Sequence, residues 1–206
     1  MKYEWRKAEK EIYLPKKIEL QTIPRYKFIS LTGKGNPNSE NFSNQVAALY
    51  ALSYTLRMLL KKGALGEPFE YTVYPLEGVW TSEKDPGAGP INKEQLIYQI
   101  MIRQPNQITK EDFLAIVEST FKKKQNEAIR EAEFIEYEEG RGVQTLHLGS
   151  YDEEPATFAK MQQFMDEENL QRANTMEHYI HREIYLSDPR KVDPAKQKTV
   201  LRYKLK

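Results

Sequence analysis

Residues 178–189 read HYIHREIYLSDP, an alternation of apolar and polar positions that suits a half-buried strand. Side chains two apart share a face, so Tyr179, His181, Glu183 and Tyr185 fall on one side and Ile180, Ile184 and Leu186 on the other. A carboxylate held among aromatic rings loses hydration, and that loss raises its affinity for a proton. Glu183 is therefore the first candidate for chemistry, as a counter-charge for a cationic ligand or as a group that moves protons. The plainer reading is an outward-facing strand glutamate paired with Arg or Lys across the sheet.

Other chemistries find less support. The histidines are His147, His178 and His181, and residues three apart in a strand point to opposite faces. His178 and His181 are thus poorly placed to share an ion, and no metal site is expected. GKG at 33–35 lacks the spacing of a phosphate loop or a dinucleotide fingerprint and reads as a turn, so no cofactor is expected. There is no G-x-S-x-G, and with no cysteine there is no thiol catalysis, disulfide or thiolate metal site. The lysines at 122–124 end a predicted helix, where cations suit the helix dipole.

The composition bounds the partners. With 206 residues, 39% of them hydrophobic, and 13 Tyr, 8 Phe and 2 Trp, the chain can bury one sizeable core, and 1–206 is read as a single domain. Its 31 basic and 30 acidic residues are mixed and leave a net charge of +1, so neither nucleic acid nor a membrane surface is an expected partner. The charged N-terminus does not read as a signal peptide. Residues 46–60, the most apolar stretch, contain Ser53, Thr55 and Arg57 and are too short to span a bilayer. A cytoplasmic location follows as the expectation.

The elements that must position Glu183 can be read in order. RYKFISLTGKG (25–35) reads as a strand, and apolar positions 42, 46, 49, 52, 56, 59 and 60 predict a helix stopped at Gly63. Residues 67–82 predict an extended segment bent near Pro75 or Gly78, SEKDPGAGPINK (82–93) reads as a loop, and 95–105 predict a strand closed by a proline. Thr109 is a candidate cap for a helix carrying Phe113, Ile116, Val117 and Phe121 on one face. AEFIEYEEG predicts a short strand ending in a turn at GRG. VQTLHLGSYDEEP then predicts a strand, a loop and a helix that turns Phe158, Met161, Phe164 and Met165 inward.

The second half parallels the first. Aligning Asp85-Pro86 with Asp188-Pro189 sets Glu183 against Trp80 in the repeat. The expected fold is α+β: duplicated βαββ modules at about 20–105 and 141–206, joined by a helix and strand at about 106–140. They are expected to form a curved antiparallel sheet with helices on one face and a ligand groove on the other. Ile180, Ile184 and Leu186 would pack under the helices. Trp80, Tyr98, Tyr137, Tyr151, His181 and Tyr185 would line the groove around Glu183, offering stacking and cation–π contacts to a hydrophobic planar small molecule.

The strings HREIYLSDP and HLGSYDEEP, YPLEGVWTS, YQIMIRQP and the DPRKVDPAKQKTVLRY tail, within the repeated module, resemble the GyrI-like small-molecule-binding family, over roughly residues 20–206. That resemblance implies a two-fold repeated SHS2 module and no DNA-binding domain before Pro24. It also implies that Glu183 of the E-x-Y-L string stands at the bottom of an aromatic pocket. Similar free-standing proteins hydrolyse cyclopropane-bearing DNA-alkylating natural products of the yatakemycin type. On that pattern Glu183 is the catalytic base, with Glu77 or Glu154 as a possible second carboxylate. The same resemblance leaves two other roles open: a non-catalytic multidrug-binding or sequestering protein, and an inhibitor of DNA gyrase.

Overall fold

The computed structural model describes residues 2–83 and 92–206. The Asp85-Pro86 pair and most of the predicted 82–93 loop lie outside the described residues. Two short helical turns, α1 (Trp5–Ala8) and α2 (Lys10–Tyr13), open the chain and bury Trp5 and Tyr13. Strand β1 (Glu19–Lys34) starts before the predicted Arg25. Helix α3 (Glu40–Lys61) follows the predicted apolar spacing, with Leu49, Leu52, Leu56 and Leu60 buried, and Ser39 caps it by accepting from the Phe42 amide. β2 (Leu76–Ser82) and β3 (Leu96–Gln104) pair as neighbours. Thr109 and Asp112 form a reciprocal capping box at the start of α4 (Lys110–Lys124), which is followed by α5 (Ala128–Glu131).

The turn expected at GRG does not form. A single 16-residue strand, β4 (Glu133–Leu148), runs through it, with Gly140 at φ 73°. That positive φ, open to glycine without penalty, lets the strand bend instead of reversing. Beyond the bend, from Gly142 to Leu148, β4 gains a second neighbour, β7 (Lys198–Leu205), while β1 pairs with it on the other side. Helix α6 (Glu154–Glu167), the two-residue β5 (Arg172–Ala173) and β6 (His181–Tyr185) lie between β4 and β7 in the chain.

All strand pairings are antiparallel, in the order β4-β1-β3-β2-β6-β7-β5, and the β4–β7 pairing closes the sheet on itself. The mixed helix and antiparallel sheet agrees with the expected α+β class. The open groove on the helix-free face does not exist, because closure turns that face into the inside of a barrel. Alternate residues of the strands fill this interior. Phe28, Val79, Met101 and Tyr179 form an apolar cluster there. Beside them Arg182 reaches Glu77 (2.9 Å) and Glu139 (3.0 Å), and Arg202 reaches Glu139 (2.9 Å) and Gln144 (2.8 Å). These ions are at most 3% exposed, so each relies on its partners for the solvation it has lost. A void of about 10 Å³, room for roughly one water, remains beside them.

Helices α3 and α6 cover the outer face. Tyr98 Oη donates to Gln45 of α3 (2.9 Å), and His147 of β4 bonds Thr157 of α6 (2.8 Å). Ile184 therefore does not lie under α3 or α6 as expected, but faces Ile12 and Tyr13 of α2 across the void. It shares a face with Arg182 and lines the interior void, while Ile180 is 43% exposed. Leu186 is buried, and its carbonyl accepts from Arg6 of the N-terminal segment. Among the described residues no helix is long and apolar enough to cross a membrane.

Candidate functional site

Strands β2 and β6 pair with Gly78 opposite Glu183, Trp80 opposite His181 and Leu76 opposite Tyr185. Because side chains two apart share a face, Trp80, His181, Glu183 and Tyr185 all project outward, towards the helices. The expected neighbourhood of Glu183 thus forms, but on the helix-covered face of the sheet. Phe42 of α3 stacks on Trp80 at 6.1 Å, and Phe158 of α6 meets His181 edge-on at 4.8 Å. The β2–β6 seam that carries Glu183 is thus touched by both helices, at Trp80 and at His181.

Glu183 is held by its own strand neighbours. Tyr185 Oη donates to Glu183 Oε2 (2.7 Å), His181 Nε2 donates to Oε1 (2.8 Å), and Trp80 Nε1 donates to Tyr185 Oη (2.9 Å). Among the described residues no arginine or lysine across the sheet takes the carboxylate, as the plainer reading required. The side chain is 12% exposed, so the charge-assisted bonds operate largely away from water. Burial, then the Glu183 charge and the hydrogen bond to it, pushes the Tyr185 hydroxyl well above the usual tyrosine range. Tyr185 stays a donor in this chain.

Gly78 makes the arrangement possible. A Cβ at that position would lie 2.7 Å from Trp80 Nε1 and 3.1 Å from Tyr185 Oη, so only glycine lets the indole fold across to the hydroxyl. Gly33 does the same for Tyr98, whose ring occupies the space a Cβ would need. Sequence reasoning flagged Gly78 only as a bend, although a glycine inside a strand already signals close approach.

A short turn leads into α6 and brings two more groups. Tyr151 meets Tyr185 edge-on at 5.8 Å and is 38% exposed at the rim. Burial, with the charges of Glu154 and Glu183, raises its pKa to about 12. Glu154, the first residue of α6, is buried, and burial together with the Glu183 and Asp152 charges raises its pKa to about 10.

The predicted lining residues divide accordingly. Trp80, His181, Tyr151 and Tyr185 gather round Glu183. Tyr98 stands behind Trp80, buried, with its hydroxyl given to Gln45. Tyr137 is on the opposite side of the sheet, bonded to Thr175 (3.3 Å) and to the Met176 amide (3.0 Å) at the barrel interior. Tyr179 leaves the group as well, because β6 begins only at His181 and Tyr179 ends a turn buried against Phe28, Val79 and Met101. Of the two candidate second carboxylates, Glu77 faces the interior and binds Arg182, and Glu154 faces Glu183. Phe42 and Phe158 were read only as helix-core residues. Nothing in their local pattern separates a core position from the wall of a cleft.

A family model for the GyrI-like small molecule binding domain matches residues 16–205. The chain belongs to the GyrI-like small-molecule-binding family. Among solved structures, an uncharacterised conserved protein from Listeria innocua is 36% identical, with a TM-score of 0.87 over 99% of this chain and 100% of that one. Two proteins from Listeria innocua named hydrolases are each 34% identical to it. Their TM-scores are 0.85, over 99% of this chain, and 0.87, over all of it, and both matches cover 100% of the relative. No curated protein matches the chain. In this GyrI-like domain the strand carrying Glu183 and both covering helices lie inside the matched span.

Proposed function

We propose that this GyrI-like protein binds flat, hydrophobic small molecules between α3 and α6 and hydrolyses electrophilic cyclopropanoids of the yatakemycin type. The observation that carries this reading is the Glu183 carboxylate, set among the aromatic side chains of Trp80, Tyr151, Phe158 and Tyr185 and held by His181 and Tyr185. The similarity to two proteins named hydrolases supports catalysis over binding alone. We also read the successive runs β1-α3-β2-β3 and β4-α6-β6-β7 as two copies of one SHS2 module, meeting where β2 pairs with β6.

The chemistry follows from the substrate. A cyclopropane spiro-fused to a dienone is opened when a nucleophile attacks its methylene and the carbonyl oxygen collects the electrons, giving a phenol. Water is a weak nucleophile until a base takes its proton, and Glu183 is the base among these aromatic side chains. The His181 and Tyr185 bonds fix the carboxylate's orientation, so a bound water meets it without reorganisation. Tyr151 and Tyr185, with Phe158 and Phe42 on the helix sides, supply aromatic surface for a planar polycycle.

Mass spectrometry of a cyclopropanoid incubated with the protein tests this. Repeated ring opening that stops in Glu183→Gln, with ligand binding retained, is the expected result. Binding of one equivalent without turnover would favour a second reading, a sequestering protein, for which the paired carboxyls of Glu183 and Glu154 suit a cationic ligand. Inhibition of gyrase supercoiling by the pure protein would favour the third.

A further inference from the structure

Glu154 has no role in the mechanism above, yet its placement is unusual. It is the first residue of α6, where a glutamate is ordinarily solvated near the helix N-terminus, and here it is only 6% exposed. Its Oε1 has no hydrogen-bond partner among the described residues. An ionised carboxylate would pay a heavy desolvation cost for that, whereas a neutral carboxylic acid carries its own donor and keeps it free for a ligand. The groups around it favour the neutral form. Glu183, with His181 and Tyr185, faces it from β6, and Tyr151 and Asp152 lie on the turn before the helix. The nearby cation of Lys93 is already drawn to Asp152 (3.5 Å), and His147 of β4 is bonded to Thr157 and to the Ser150 carbonyl.

We propose that Glu154 is the general acid of this site, a neutral carboxylic acid that protonates the dienone oxygen while Glu183 takes a proton from the attacking water. The inference rests on the hydrolase reading and completes it. The attacked methylene and the dienone oxygen lie at opposite ends of one six-membered ring. Base and acid must therefore flank the ligand from two elements, which here are β6 and α6. The C–O bond forms as the cyclopropane C–C bond breaks, and the electron pair travels through the ring to the oxygen, which receives the Glu154 proton. Glu183 is left protonated and Glu154 ionised, and return of one proton from the first to the second restores the pair. The net change is one substrate and one water converted to a ring-opened phenol.

The other donors are less suited. The Tyr185 hydroxyl and the His181 Nε2 hydrogen are already given to Glu183, and Tyr151, raised to about 12, is the weaker acid. Glu154, raised to about 10, is the stronger acid of the two and carries the unpartnered Oε1.

The test compares the pH dependence of cyclopropanoid hydrolysis by the wild-type protein, Glu154→Gln and Glu154→Asp. Loss of Glu154's proton should end wild-type activity in an alkaline limb near pH 10. Glu154→Gln keeps a hydrogen-bond donor that cannot release its proton. It should lower kcat by about 10²–10⁴-fold with little change in KM, and lose the limb. Glu154→Asp, which keeps an acid, should recover part of the rate and move the limb to another pH. A Glu154→Gln protein with wild-type kcat, or an alkaline limb unmoved in Glu154→Asp, would overturn the acid role while leaving hydrolysis intact. A wild-type protein with no turnover would instead remove the hydrolase reading and the acid role with it.

Discussion

Gly78 sits opposite Glu183 across the β2–β6 pairing, and its missing side chain is the space in which Trp80 and Tyr185 meet. Gly78→Ala should force the indole away, break the Trp80–Tyr185 hydrogen bond and loosen the hold on Glu183. Turnover is expected to fall by about tenfold or more, with a shift in tryptophan emission, at a stability cost of about 1 kcal/mol. Unchanged emission and rate would show that the indole contact does not support the site. At this scale the alternation of HREIY was legible, and it brought His181, Glu183 and Tyr185 together correctly. It failed for Tyr179, because alternation holds only inside the strand and the preceding turn redirects the chain. It failed for Glu154 in a different way. An acid in the first turn of a helix looks solvated in sequence, and only the packing of α6 against β6 shows it buried.

Among the elements, the helices were the most legible, since α3, α4 and α6 each carry a sustained apolar period and a start signal. The strands were less so. GRG resembles a turn in any local reading, and only the pairing of β4 with β1 and then with β7 explains why the chain bends there and continues instead of reversing. Gly140 carries the bend, with φ 73° and no atom within 4 Å of where a Cβ would stand. Replacement by alanine therefore introduces backbone strain without a clash. Urea denaturation of Gly140→Ala should show a loss of about 1–2 kcal/mol. No loss would mean that the bend relaxes and that barrel closure does not depend on it.

At the scale of the whole molecule, closing the sheet decides which face is available to ligands. The expectation of an open face opposite the helices rested on strand alternation, which distinguishes two faces but cannot say which one becomes the inside. The inside holds Glu139 between Arg182 and Arg202, and although burial opposes ionisation, the two guanidinium groups hold its carboxyl down to about 2. A lowered carboxyl pKa gives stability that is complete above the unfolded value of about 4.5 and is lost as the pH falls towards 2. At 1.36 kcal/mol per unit, that is on the order of 3 kcal/mol. Glu77 works in the opposite sense, because burial outweighs the pull of Arg182, Arg202 and Arg103 and pushes its carboxyl up. Glu139→Gln should lower stability near neutral pH by a similar amount and flatten its decline between pH 4.5 and 2. An equally steep decline in the variant would assign the acid sensitivity elsewhere. The measurement that bears most directly on the account is hydrolysis of a yatakemycin-type cyclopropanoid in ¹⁸O-labelled water, followed by mass spectrometry, for the wild-type protein and Glu183→Gln. The account predicts many turnovers per wild-type molecule, each product carrying one labelled oxygen, and a variant that binds the compound but releases it intact. Intact, unlabelled compound released by the wild-type protein, or labelled product formed equally well by Glu183→Gln, would contradict it.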